Sequence, residues 1–156
     1  MSNCLPPSTP TRVRLARPAD VGAMFHIRTS VTENALALEQ LAQLGITPEA
    51  VTLIVQGTPT CAWVAEAGDG EVVGFSMVDL QQACLFAAFV LPGCEARGLG
   101  RQLVAACEAA LFAHHPVAWL ETARHSRAAG FYRHLGWGHE TDVGGGDIRL
   151  EKRRPL

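Results

Sequence analysis

Lysine occurs once in the 156 residues, at Lys152, and tyrosine once, at Tyr132. The longest dense apolar run, residues 83–91, is about half the length that crosses a bilayer. The first residues have neither a basic segment nor an apolar one, so a secretory leader is not expected. The five cysteines are an odd number with no CxxC spacing, which argues against a disulfide framework and a cysteine-ligated zinc. Reduced, mostly buried thiols in a cytoplasmic protein are expected instead. A basic excess is also missing: 13 Lys and Arg against 15 Asp and Glu disfavours an electrostatic nucleic-acid binder.

The chain does have a core. A hydrophobic content of 48% with 18% charged residues excludes disorder over most of its length. Its length fits one domain, expected over residues 11–152 behind a loose, proline-bearing leader at residues 1–10.

Residues 12–16 alternate and predict a first strand, and Pro18 opens a helix with Val21, Met24, Phe25 and Arg28 at helical spacing. Further helices are predicted over 35–44 and 48–56. Strands 61–66 and 71–80 flank a Gly-Asp-Gly turn, a hairpin signal. Residues 83–91 and 117–121 predict two strands covered on both faces. Between them a helix from Gly98 carries Leu99, Leu103, Cys107 and Leu111 in one stripe. A helix over 127–135 and a hairpin around Gly144–Gly146 close the chain. This order predicts a mixed α/β sheet, mostly antiparallel, with one parallel strand–helix–strand crossover and helices alongside.

The loop from Phe89 to Arg101 carries chemistry. A strand (Phe89, Val90, Leu91) leads into a helix whose first turn holds Gly98 and Gly100. The first amides of a helix lack internal partners and attract anions, and glycines leave them uncovered. Arg97 and Arg101 add positive charge, so a pyrophosphate cradle over Ala96, Arg97, Gly98, Leu99, Gly100 and Arg101 is expected. No Gly-Lys-Ser/Thr follows, which excludes a P-loop. A dinucleotide fingerprint fits Gly98, Gly100 and an acid at Glu121, but Leu103 stands where the third glycine belongs.

From about residue 12 to 151 the chain resembles the GNAT acetyltransferase family. Glu95-Ala96-Arg97-Gly98-Leu99-Gly100 is similar to its acyl-CoA motif Gln/Arg-x-x-Gly-x-Gly/Ala, with Glu95 at the first position. Residues 125–137 keep Ala128, Tyr132 and Gly136 of a second motif, with His125 for asparagine and Trp137 for phenylalanine. The resemblance implies a GNAT-like fold and acetyl-CoA as cosubstrate, without a metal. It implies acetyl transfer to an amine of a small molecule or peptide by direct attack, in a monomer or homodimer. The Phe89–Leu91 backbone would pair with the pantetheine arm, and an amide near Val90 or Leu91 would face the thioester oxygen. His125 falls in the cofactor motif, and Tyr132 at the family's general-acid position.

Asp79 and Glu33 are candidate bases for the amine, beside Glu121, His125, Glu140 and a water chain. His114 and His115 end the long helix and suit its dipole. Trp63, Phe75, Phe86 and Trp119 lie in strands and are expected in the core. The acceptor pocket is expected between residues 29–44 and the last hairpin, where Glu33, Glu39, Glu140 and Asp142 would favour a cationic amine. Two readings of other classes remain: a non-catalytic acyl-CoA-binding module, and a nucleotide-binding protein of another fold.

Overall fold

The computed structural model describes residues 11–58, 60–95 and 98–156. The expected leader at residues 1–10, and Ala96 and Arg97 of the cradle, lie outside the described residues.

Among the described residues, seven strands form one sheet in the order β1-β2-β3-β4-β5-β7-β6. They are β1 (Arg12–Leu15), β2 (Ala62–Glu66), β3 (Val72–Asp79), β4 (Cys84–Val90), β5 (Val117–Ala123), β6 (Gly138–Gly144) and β7 (Asp147–Arg153). Every neighbouring pair is antiparallel except β4 and β5, which run parallel through the crossover helix. This is the mixed α/β sheet that the order of elements predicts.

Helices cover both faces. A short 3-10 turn (Pro18–Asp20) precedes α1 (Val21–Ser30), followed by α2 (Leu38–Gln43) and α3 (Pro48–Gly57). On the other face lie α4 (Leu99–His114) and α5 (Arg127–His134). Strand alternation sorts the contacts between them. Ser76 of β3 faces α4 and donates to the Leu103 carbonyl at 3.2 Å. Its neighbours Phe75 and Met77 face α1. The α4 stripe is fully buried at Leu99, Leu103, Cys107 and Leu111, as its spacing predicts.

Local chemistry sets the helix ends. Thr47 caps α3 by accepting the Ala50 amide at 3.1 Å, with Pro48 in the first turn. Ser126 caps α5 by accepting the Ala129 amide at 3.0 Å. The single lysine is structural: Lys152 Nζ donates to Glu108 of α4 at 2.9 Å and to the Leu135 carbonyl at 2.8 Å. The Trp137 indole donates to the other Glu108 oxygen at 3.0 Å. One carboxylate thus ties α4 to the end of α5 and to β7. At the opposite edge, Arg14 holds Asp20 at 2.8 and 3.0 Å and Glu66 at 2.9 Å.

Two expectations change. The second helix begins at Leu38 rather than residue 35, where the Gln40 side chain accepts the Ala37 amide at 2.7 Å and closes the helix start. The strands β4 and β5 are not covered on both faces: Phe86 is 54% exposed, and β5 alternates between buried Ala118 and Leu120 and half-buried Val117 and Trp119.

Candidate active site

The parallel join between β4 and β5 is confined to one residue pair, Cys84 with Trp119, beside which the Trp119 amide donates to the Ala83 carbonyl at 3.0 Å. Beyond that pair the strands part. A bulge lies where they do so: Leu85 pairs with Val78 and Ala87 with Met77, leaving Phe86 unpaired. Such a bulge re-aims a strand and raises its twist. On the far side of β4, the Leu91 amide donates to the Val73 carbonyl at 2.8 Å. Antiparallel alternation then turns the backbone groups of Phe89 toward β3, and those of Ala88 and Val90 toward the open side. Leu91 is therefore not a free donor for a thioester oxygen, which corrects the sequence reading. Ala88, which sequence reasoning passed over, joins Val90 instead.

The N-terminus of α4 opens beside this edge. Gly98 takes φ 72° at the N-cap, and among the described residues no side chain caps the helix there. Among the described residues a Cβ at Gly98 would meet no neighbour, so its glycine answers to the left-handed backbone. Gly100 differs: a Cβ there would meet the Phe131 ring of α5 at 3.4 Å. Its small size lets the two helices approach. The Leu99 side chain is fully buried, so only its backbone is available to a ligand, while Arg101 is exposed. The Glu95 carboxylate accepts the Gly93 amide at 2.7 Å, so it is engaged within the loop.

Tyr132 lies on α5, which starts where β5 ends and runs back along it. Five residues at 1.5 Å each bring Tyr132 about 8 Å back from that end. Its ring packs between Phe131 at 5.6 Å and Trp137 at 6.2 Å, and the residue is 7% exposed. Burial, with Cys107 nearby, pushes its phenol above the ordinary tyrosine value. The group therefore carries its proton through neutral pH.

Glu33 accepts the Arg127 amide with both carboxylate oxygens at 3.0 Å, across 94 residues of sequence. Negative charge at a helix N-terminus is favourable, and here it pins the 31–37 segment to α5 across the mouth of the β4–β5 opening. The structure does not bring Asp79 to that mouth. Asp79 pairs with Cys84 at the closed end, about 20 Å along β4 from Val90. Its carboxylate accepts the Gln81 and Gln82 amides at 3.1 Å and shapes the turn. Glu121 pairs with Arg149 at 2.8 Å, and Glu140 with Arg133 at 2.7 Å. Asp142 pairs with Arg124 at 3.1 Å. His125 is exposed in the turn before α5, and the His115 ring bonds the Leu80 carbonyl.

A pocket of about 230 Å³ lies on the α1 side of β3 and β4. Phe75, Met77, Phe86 and Phe89 form its floor, and residues of α1, α2 and α3 its walls. Phe86 thus lines the pocket floor and is not core, because the bulge turns it outward. Residues of the early helices line this pocket, and among its lining residues none belongs to the last hairpin. Among the described residues, none of the four expected acids lines it, and Arg28 is its one charged lining residue. Arg28 stacks on the Phe89 ring at 4.5 Å and donates to the Asn34 carbonyl at 3.1 Å.

The residues fit an acyl-CoA. Unpaired backbone groups of one strand suit an extended arm bearing amides, and the uncapped start of α4 beside them suits a pyrophosphate.

A family model for an acetyltransferase (GNAT) domain matches residues 58–138. Solved structures share the fold. The PaiA N-acetyltransferase of Thermoplasma acidophilum, solved with coenzyme A, superposes at TM-score 0.76 with 14% identity, over 93% of this chain and 99% of that one. Ard1 of Thermoplasma volcanium gives 0.70 with 18% identity, over 94% and 99%. A GCN5-related N-acetyltransferase of Rhodopseudomonas palustris gives 0.72 with 20% identity, over 94% and 97%. No curated protein matches the sequence. Among the described residues, no helix is long and apolar enough to cross a membrane.

Proposed function

Because the chain belongs to the GNAT acetyltransferase family, we propose that it transfers an acetyl group from acetyl-CoA to a primary amine by direct attack. The observation that carries this reading is the single β4–β5 pair, which leaves the Ala88 and Val90 edge open beside the uncapped start of α4. Coenzyme A bound to the Thermoplasma acidophilum relative supports the same ligand here.

Acetyl-CoA supplies an acetyl group activated as a thioester. The chain's own groups do the rest. The amides of Gly98 to Arg101 face the pyrophosphate, with Arg101 adding charge, and His125 flanks the pantetheine arm from the turn before α5. Ala88 or Val90 donates an N–H to the thioester oxygen as it gains charge. The amine nitrogen bonds the acetyl carbon and the C–S bond breaks. Tyr132, kept protonated by burial, gives its proton to the departing thiolate. With Glu33 on the Arg127 amide and Asp79 at the closed end of the sheet, the amine's proton passes to water. Glu33 then acts as a positioning residue that holds the mouth together.

Calorimetric titration with acetyl-CoA, CoA, NAD and ATP tests the ligand; saturable binding of the first two alone is expected. Tyr132→Phe then separates an enzyme from a binding module. The expected result is CoA affinity within a few-fold of wild type and kcat lowered about 100-fold or more. Absence of CoA binding at millimolar ligand would overturn the reading.

A further inference from the structure

Among the described residues, the pocket lining combines an apolar surface with one cation. Arg28 is half-buried, and among the described residues no carboxylate lies within ion-pair distance of it. By contrast, Arg12, Arg14, Arg124, Arg133 and Arg149 all hold acids. A guanidinium is a rigid fork matched to a carboxylate, and burial makes it hold an anion more strongly. Burial alone already draws the Arg28 guanidinium below its usual value, so a bound anion would relieve a real desolvation cost.

Position adds the second constraint. Arg28 rests on the ring of Phe89, and Phe89 lies between Ala88 and Val90, whose amides face the cleft. A carboxylate at Arg28 and an amine at the cleft are therefore held by adjoining parts of one strand. Such an acceptor has its two polar groups only a few bonds apart. The rest of the pocket, with Met24, Leu41, Ile46 and Phe86 in its lining, offers space for an apolar side chain.

We propose that the acceptor is a free amino acid with an apolar side chain, its carboxylate on Arg28 and its side chain between α1, α2 and the sheet. This rests on the acetyl-transfer reading above. The product is the N-acetyl amino acid: the nitrogen bonds the acetyl carbon, the C–S bond breaks and one amine proton leaves to water. The thiolate takes the Tyr132 proton, which solvent then replaces.

The test compares leucine, methionine and phenylalanine with their amides, following CoA thiol release. For wild type, kcat/KM for the free acids exceeds that for the amides about 10- to 100-fold, carried mainly by KM, as loss of a charge-assisted bond requires. Arg28→Gln keeps a donor for the Asn34 carbonyl but removes the charge, and brings that ratio to near one. Arg28→Lys retains part of it. Thermal unfolding of each variant checks that the fold survives. Amides used as well as acids, or an Arg28→Gln loss equal for both, overturns the proposal and leaves Arg28 a structural clamp. If no acid turns over, calorimetry with CoA present decides: binding that Arg28→Gln abolishes supports the site, and no binding at millimolar ligand overturns it. Turnover of other amines, or CoA binding alone, leaves the acetyltransferase reading standing in that case.

Discussion

Three glycines show how one residue type answers three different demands. Gly98 sits at φ 72° in open space, so a methyl group there costs backbone strain and nothing else. Gly100 has an ordinary φ, and its Cβ would touch a movable ring at 3.4 Å. A Cβ at Gly74 would meet the Leu103 side chain at 3.0 Å and the Phe89 carbonyl oxygen at 3.2 Å, and the latter is backbone that cannot step aside. Urea unfolding should therefore rank the alanine variants. Gly98→Ala loses about 1–2 kcal/mol from left-handed strain. Gly74→Ala loses about 1–3 kcal/mol from overpacking. Gly100→Ala stays within about 1 kcal/mol of wild type, since the gain in helix propensity offsets the tighter contact. Of these, the sequence motif drew attention to Gly98 and Gly100 for ligand approach alone; the packing role of Gly100 depends on Phe131 of a different helix.

At the level of elements, β4 is two strands in one: a ladder toward β3 and an open edge toward β5. Amide hydrogen exchange should read that alternation directly. The Phe89 and Leu91 amides exchange slowly, those of Ala88 and Val90 quickly, and CoA slows the second pair. Equal protection of all four without ligand would contradict the described edge. The periodicity of α4 was legible because one helix face meets one sheet, so its four-residue stripe is a local property. The β4 bulge was not, since it is a mismatch of register between two strands and leaves no mark in either alone. Glu33 likewise reads as an ordinary acid until the chain brings Arg127, 94 residues on, to its carboxylate. Arg28 was the signal within reach: it shares helical spacing with Val21, Met24 and Phe25, and a cation on an apolar stripe asks what it faces. Composition likewise counts Glu140 and Asp142 as carboxylates without their partners Arg133 and Arg124.

For the whole molecule, stability should depend on acid through the cluster that fastens β1, β2 and the turn before α1. Burial alone would raise the Asp20 carboxyl, but the Arg14 bonds and the Arg17 amide outweigh it and hold the group below its ordinary range. Hydrogen bonds from Arg14 and Arg12 lower Glu66 in the same way. A carboxyl lowered in the folded state binds its proton more readily when unfolded. Its contribution is therefore complete above the unfolded value, about pH 4, and is lost as pH falls through the folded value. Unfolding free energy measured by urea should be flat from neutral pH to about pH 5 on account of this cluster and fall below about pH 4. Asp20→Asn should be less stable at neutral pH and show a shallower acid decline; an unchanged acid profile would assign that decline to other carboxylates.

The narrow seam at Cys84 and Trp119 has a kinetic consequence as well. On one side β2, β3 and β4 follow one another through short turns, and on the other β6 and β7 form a hairpin next to β5. Each half can condense from segments close in sequence, with little loop-closure entropy to overcome. A single residue pair is too small a nucleus to join them. The joining therefore falls to α4, which lies against strands β1 to β5 and is the covalent bridge between the halves. Docking of that one helix, across a gap that the folded protein keeps open, is then the step expected to limit the rate of folding.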